Sequence, residues 1–166
     1  GAPGDGTGLL RAFIECSVAN SASCIADPVG SEKARAAGIG SRVTLSIGGK
    51  GSRLDAGPVD LEVEVIFLSD GRFELEDKQS HLASMCGDRF DMGPSAVVRR
   101  RVRQNAESPQ SGDSAYITIL LTSIKTPPFD LGQWRSQGIE PTKLSVIAVK
   151  AAVAHRRAYD PIAARM

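Results

Sequence analysis

An α+β fold with a mostly antiparallel, mixed sheet, two N-terminal helices and short C-terminal helices is predicted by three features of this 166-residue chain. Apolar residues first recur at helical spacing, then alternate with polar ones along several short segments. The last third breaks into brief apolar stretches punctuated by glycine and proline. The length suits one domain, residues 1–166, built around a single hydrophobic core.

The elements follow in order. Leu9, Leu10, Phe13 and Ile14 mark a helix from Thr7 to about Ser17, with Asp5 or Thr7 as its cap. Asp27-Pro28 is an N-cap followed by proline at the first helical position, which opens a second helix through Ala37 that Gly38 stops. The period then changes to two. Arg42 to Ile47 alternates and ends at Gly48-Gly49-Lys50-Gly51, and Val59 to Leu68 places Leu61, Val63, Val65 and Phe67 on one face. Ser69-Asp70-Gly71-Arg72 reads as a turn into a short strand, Phe73 to Leu75, making a hairpin. Further strands are expected at Phe90–Met92, Ala96–Val102 and Tyr116–Thr122, with a polar hairpin loop over Gln104–Ser114. Phe129-Asp130-Leu131 starts a short helix that includes Trp134 and ends at Gly138. Leu144–Val149 reads as a strand buried on both faces, and Ala151–Tyr159 as a helix.

Composition narrows the function classes. Apolar content of 42% and charged content of 23% describe a folded globular chain, and a net charge of +1 gives no global attraction to nucleic acid or anionic membrane. No apolar run approaches the ~20 residues of a membrane span. Cys16, Cys24 and Cys86 have no paired spacing, which predicts reduced, buried thiols and a cytoplasmic setting. Arg99, Arg100, Arg101 and Arg103 form the one charge run. Without interleaved aromatics they read as a solvated edge strand, with Val98 and Val102 facing inward, and not as a nucleic-acid surface.

The candidate site is the glycine-dense opening. Gly4, Asp5, Gly6 and Thr7 lead into the first helix, and such a loop lets backbone N–H groups approach a polar ligand beside a helix start. Loops of this kind follow a strand and line a cleft. The expectation is therefore one side of a functional site, with the other side on polypeptide outside this sequence. The loop is not a phosphate-binding Walker loop, because no Lys-Ser/Thr follows, and it fails the dinucleotide fingerprint. His81 and His155 stand without metal-ligand spacing, and no serine elbow occurs. Lys150 ends the last apolar strand, where clefts often open, and His155 beside Arg156 offers a second polar group.

Gly1-Ala2-Pro3-Gly4-Asp5-Gly6-Thr7, Val43 to Lys50, Leu68 to Phe73 and Asp91 to Val97 together resemble one family. The match continues through Leu121-Thr122-Ser123, Pro128-Phe129-Asp130, Trp134 to Pro141 and Val149 to Ala163. This chain is similar to the C-terminal domain of MlrC-like proteins, the microcystinase C group of metallopeptidases, over nearly its whole length.

The resemblance implies a zinc-dependent peptidase or amidohydrolase, in a family that includes microcystin degradation. Its aspartate and histidine zinc site lies in an N-terminal domain that nothing here matches. The implied partners are that metal-binding domain and a peptide or amide small-molecule substrate. The implied substrate-facing residues are Gly4, Asp5, Gly6, Thr7, Lys150, His155 and Arg156, with no metal ligand in this chain and no confident catalytic residue. On this view the chain alone is inactive. The second reading is a non-catalytic association or ligand-binding module, with homo-oligomers as one form of association.

Overall fold

A computed structural model describes residues 4–102 and 115–164. The first helix, α1 (Gly8–Glu15), turns Leu10 and Phe13 into the core, while Leu9 remains 57% exposed. A strand that the sequence pattern does not announce, β1 (Ser21–Ala26), comes next. Its residues are small and both faces are covered, so no alternation of apolar and polar side chains marks it. Helix α2 (Pro28–Ala37) starts where expected: the Asp27 carboxylate accepts from Gly30 N at 2.9 Å and Pro28 occupies the first turn.

Strands β2 (Arg42–Ile47) and β3 (Val59–Ser69) pair antiparallel, with Leu45 opposite Leu61 and Ile47 opposite Val59. The chain then makes a small separate sheet from β4 (Arg72–Glu74) and β5 (Arg89–Asp91), with helix α3 (His81–Cys86) between them. The expected hairpin is therefore corrected: β4 pairs with β5 and not with β3. Gly71-Arg72 carries the chain away from the main sheet, whose next strand beside β3 is β6 (Ser95–Arg101). After β7 (Tyr116–Thr122) come α4 (Gly132–Arg135), β8 (Val146–Ala148) and α5 (Arg156–Tyr159).

The main sheet has six strands in the order β2-β3-β6-β7-β1-β8. Its first three pairings are antiparallel, while β7–β1 and β1–β8 are parallel. This is the mixed, mostly antiparallel sheet that the sequence predicts. It separates two apolar layers where one core was expected. Leu10, Phe13 and Ala34 of α1 and α2 pack with Leu45, Val98 and Ile119 on one face. Phe73, Met92, Trp134 and Tyr159 pack with Val97 and Leu120 on the other.

Four further expectations change. The arginine strand is interior: β6 lies between β3 and β7, so it cannot be an edge. Val98 and Val102 do point inward, and Arg99 is neutralised by Glu64 at 3.1 Å and stacked 4.4 Å from the Tyr116 ring centroid. Arg103 and the Gln104–Ser114 loop lie outside the described residues. The last strand is short, three residues against the six expected, and forms the sheet's outer edge, so Val146 is 40% exposed instead of buried. The helix over Ala151–Tyr159 shrinks to its last turn, α5. Finally, Cys16 and Cys86 are exposed; only Cys24 is partly enclosed.

The sole tryptophan fixes the far layer. Trp134 is fully buried and its indole Nε1 donates to the Tyr159 hydroxyl at 2.7 Å, joining α4 to α5; burial pushes that phenol's pKa upward. Tyr159→Phe should leave the indole N–H without an acceptor and cost about 1–3 kcal/mol, read by urea unfolding followed through Trp134 fluorescence. An unchanged midpoint would show that the bond contributes nothing.

Candidate functional site

Three parallel strands, β7, β1 and β8, carry their C-terminal ends to one side of the sheet. That is where loops gather in sheets of this kind and where ligands bind. The first organising group there is Asp27, directly after β1 and 2% exposed. Its backbone N–H donates to Thr122 O at the end of β7, at 2.9 Å. Its carboxylate caps α2 through Gly30 N, accepts from Gly48 N at 2.9 Å and receives the Lys50 ammonium at 2.5 Å. Burial acts to raise this carboxyl's pKa, but the Lys50 ammonium and the two N–H donors hold it below the ordinary value of 3.8.

Two loops interlock above it. Gly4 O accepts from Ala26 N at 3.1 Å, which lays the opening segment along the end of β1. Asp5 then grips the loop after β2: its backbone oxygen accepts from Gly49 N, and its carboxylate from Lys50 N at 2.8 Å and Gly51 N at 2.5 Å. In return, Asp55 grips the opening segment. Its carboxylate accepts from the Thr7 backbone N–H at 2.9 Å and the Thr7 hydroxyl at 2.6 Å. Those two bonds hold its pKa below the usual carboxylate range. The Thr7 hydroxyl also lies 3.1 Å from Gly57 O. Thr7 Oγ1 accepts from Arg11 Nε at 3.2 Å, and Thr7 occupies the N-cap position of α1 without a side-chain cap. Arg11 closes the network on Gly57 O and Pro58 O at 2.9 and 3.0 Å. Gly49 sits at φ +63° with a would-be Cβ 2.2 Å from the Gly57 carbonyl carbon, so no side chain fits there.

The loops enclose a cleft of about 460 Å³. Gly4, Asp5, Gly6, Ala148 and Lys150 line it. Ser23, Cys24 and Ile25 of β1 line it from the sheet, while Leu9 and Leu54 furnish an apolar rim. Burial pushes the Cys24 thiol up to about 12.

Of the residues that the sequence singles out, Gly4, Asp5, Gly6 and Lys150 share this cleft. Thr7 is fully buried behind it and holds the loop. His155 and Arg156 are elsewhere. His155 borders a separate cavity of about 560 Å³ between β8 and α5; its Nδ1 is buried without a partner among the described residues, and its ring lies 6.3 Å from that of Tyr159. Arg156 is exposed, 3.8 Å from Asp160. Sequence reasoning missed Ser23, Asp55 and Arg11, and read Asp27 as a helix cap only. The glycine run Gly48–Gly51 was the available signal, since repeated glycine marks close backbone approach as well as a strand end.

Among the described residues no three His, Cys, Asp or Glu side chains come together as a metal site. The carboxylates nearest the cleft, Asp5 and Asp55, are occupied by backbone and hydroxyl donors. The residues present do not fit a zinc ion, and no step through one is assigned to them.

The sequence matches the family model described as MlrC C-terminus over residues 1–166. The chain belongs to this family. The MlrC C-terminal domain also shares its fold with the crystal structure of a "putative metallopeptidase" from Mesorhizobium sp. BNC1, with a TM-score of 0.75 and 21% identity. That superposition covers 97% of this chain but 29% of the other, so the MlrC C-terminal domain spans less than a third of its structural neighbour. No curated protein matches the sequence.

Two outcomes test the loop architecture of this MlrC C-terminal domain. Gly49→Ala should destabilise it by more than about 2 kcal/mol, because the residue combines a positive φ with a backbone collision. Gly4→Ala, whose Cβ meets nothing within 4 Å, should be near neutral in the same chemical denaturation. The second outcome concerns acid. Asp27 has a depressed folded pKa, so its contribution is complete above the ordinary carboxylate value and disappears as pH falls through the folded one. Melting temperature, followed by circular dichroism, should be level from neutral pH to about 5 and decline below about 4. Asp27→Asn should lower the neutral-pH value and flatten the decline. A mutant profile parallel to the parent's would remove Asp27 from this role.

Proposed function

We propose that this domain builds the substrate-facing wall of a zinc-dependent peptidase or amidohydrolase whose metal site belongs to an N-terminal domain. One observation carries the reading. The Gly4–Gly6 backbone, Ser23 and Lys150 line a single cleft at the C-terminal ends of the parallel strands. Family membership and the larger neighbouring structure support a second domain joined to this one.

In this role the wall binds and orients a peptide or amide substrate. Backbone N–H groups of the opening loop donate to carbonyl oxygen, Leu9 and Leu54 offer apolar contact at the rim, and Lys150 supplies positive charge. Asp5 and Thr7 hold the loop rigid. His155 and Arg156, facing away from the cleft, bridge to the adjoining domain. A cytoplasmic setting accords with three unpaired thiols.

The second reading, an association module, draws on Leu54, whose side chain is 99% exposed beside the half-exposed Leu9. Sedimentation of the isolated chain separates the two, since concentration-dependent dimerisation through that rim favours association.

The hydrolase reading is tested in a protein that joins this domain to its metal-binding partner. Gly4→Val, which places a branched side chain in the cleft wall without meeting another atom at its Cβ, should lower kcat/KM about tenfold or more while stability holds. The isolated chain should retain no stoichiometric zinc and hydrolyse no amide. Normal kinetics for Gly4→Val, or tight zinc with turnover by the isolated chain, would refute the assignment.

A further inference from the structure

We propose that the cleft beside β1 takes a neutral aliphatic acyl-amide group, with Ser23 as the residue that selects its carbonyl oxygen. This rests on the hydrolase reading and narrows it to a substrate chemistry and a specificity-determining side chain.

Ser23 is 4% exposed, lines the cleft, and has a buried Oγ without a hydrogen-bond partner among the described residues. Its neighbour on the same strand face behaves differently: Ser21 donates to Val18 O at 2.8 Å. A buried hydroxyl left unpaired is destabilising, whereas an alanine would pack in the same space at no such cost. A ligand oxygen in the cleft removes that penalty.

The start of α1 supplies the companion donors. Thr7 would ordinarily cap the helix, but its hydroxyl donates to Asp55 and accepts from Arg11 Nε at 3.2 Å, and no N–H of the first turn reaches it. The first turn, which enters the cleft through Leu9 and Leu10, therefore keeps N–H groups with no side-chain cap. An uncapped helix start and a buried unpaired hydroxyl in one cavity both call for an acceptor.

Charge decides which acceptor. The cleft carries two carboxylates, Asp5 and Asp55, against the single ammonium of Lys150. Arg11 lies close enough to Asp55 to offset its charge, and backbone N–H groups take up Asp5, so the cleft offers no excess of positive charge to hold a carboxylate or phosphate ligand. A carbonyl oxygen needs none. Much of the remaining lining is apolar, from Leu9, Leu10, Ile25, Leu54, Pro128 and Ala148, with Ser52 and Cys24 beside them, and a volume of about 460 Å³ suits one apolar residue with its flanking amides.

The test uses the isolated chain and two probes, N-acetyl-L-leucinamide and N-acetyl-L-leucine, titrated at millimolar concentration and followed by amide NMR. The neutral probe should shift the Gly6, Leu9, Leu10 and Ser23 resonances saturably, and the carboxylate should bind more weakly. Ser23→Ala should weaken the neutral probe about tenfold while the Gly48–Gly51 resonances stay in place, showing an intact fold. No saturable shift, equal or tighter binding of the carboxylate, or undiminished binding by Ser23→Ala would each overturn the subsite. Probe binding with an inactive two-domain protein sinks the hydrolase reading and leaves the subsite. An active two-domain protein without probe binding does the reverse.

Discussion

The buried carboxylate of Asp27 is the constraint on which the site depends. It follows a strand in the middle of the parallel segment and must find partners, because an ionised group that deep is costly alone. It finds them on α2, at Gly48 and on Lys50, and so ties a helix start to the loop after β2. That loop in turn holds Asp5, and through it the glycine segment that walls the cleft. Each link uses an acid to satisfy backbone N–H groups. The result is a cleft whose carboxylates serve structure first.

The sheet explains why the cleft lies where it does. Antiparallel strands β2, β3 and β6 make a broad support, but only β7, β1 and β8 run in the same direction and deliver their ends together. The short β8 leaves Cys24 to Ala26 unpaired on its side, and Gly4 covers part of that gap by accepting from Ala26 N. Lys150 emerges just past β8 and so reaches the same opening. A longer final strand would have closed the space that the cleft uses.

Much of this was legible in the sequence, and the losses have definite causes. Segments with one buried face, such as Arg42–Ile47 and Val59–Ser69, show their period and were readable. Asp27-Pro28 and Gly38 marked both ends of α2. β1 was invisible because Ser-Ala-Ser-Cys-Ile-Ala is buried on both sides and carries neither alternation nor bulk. The arginine run suggested an edge because charge usually protects edges, yet Glu64 and Tyr116 accommodate Arg99 inside the sheet. The glycine loop and Lys150, which line the cleft, were singled out by composition and position. Asp55 and Ser23 were not, since their importance lies in what they pair with, or fail to pair with, across long separations.

Hydrogen exchange of individual amides tests the central claim most directly. If Asp27 joins strand end, helix cap and loop into one unit, the Gly48 and Gly51 amides should be protected in the parent. In Asp27→Asn both should exchange about tenfold faster or more, while amides in the β2–β3 pairing keep their rates. Loop amides that exchange equally in both proteins, with the fold intact, would contradict it.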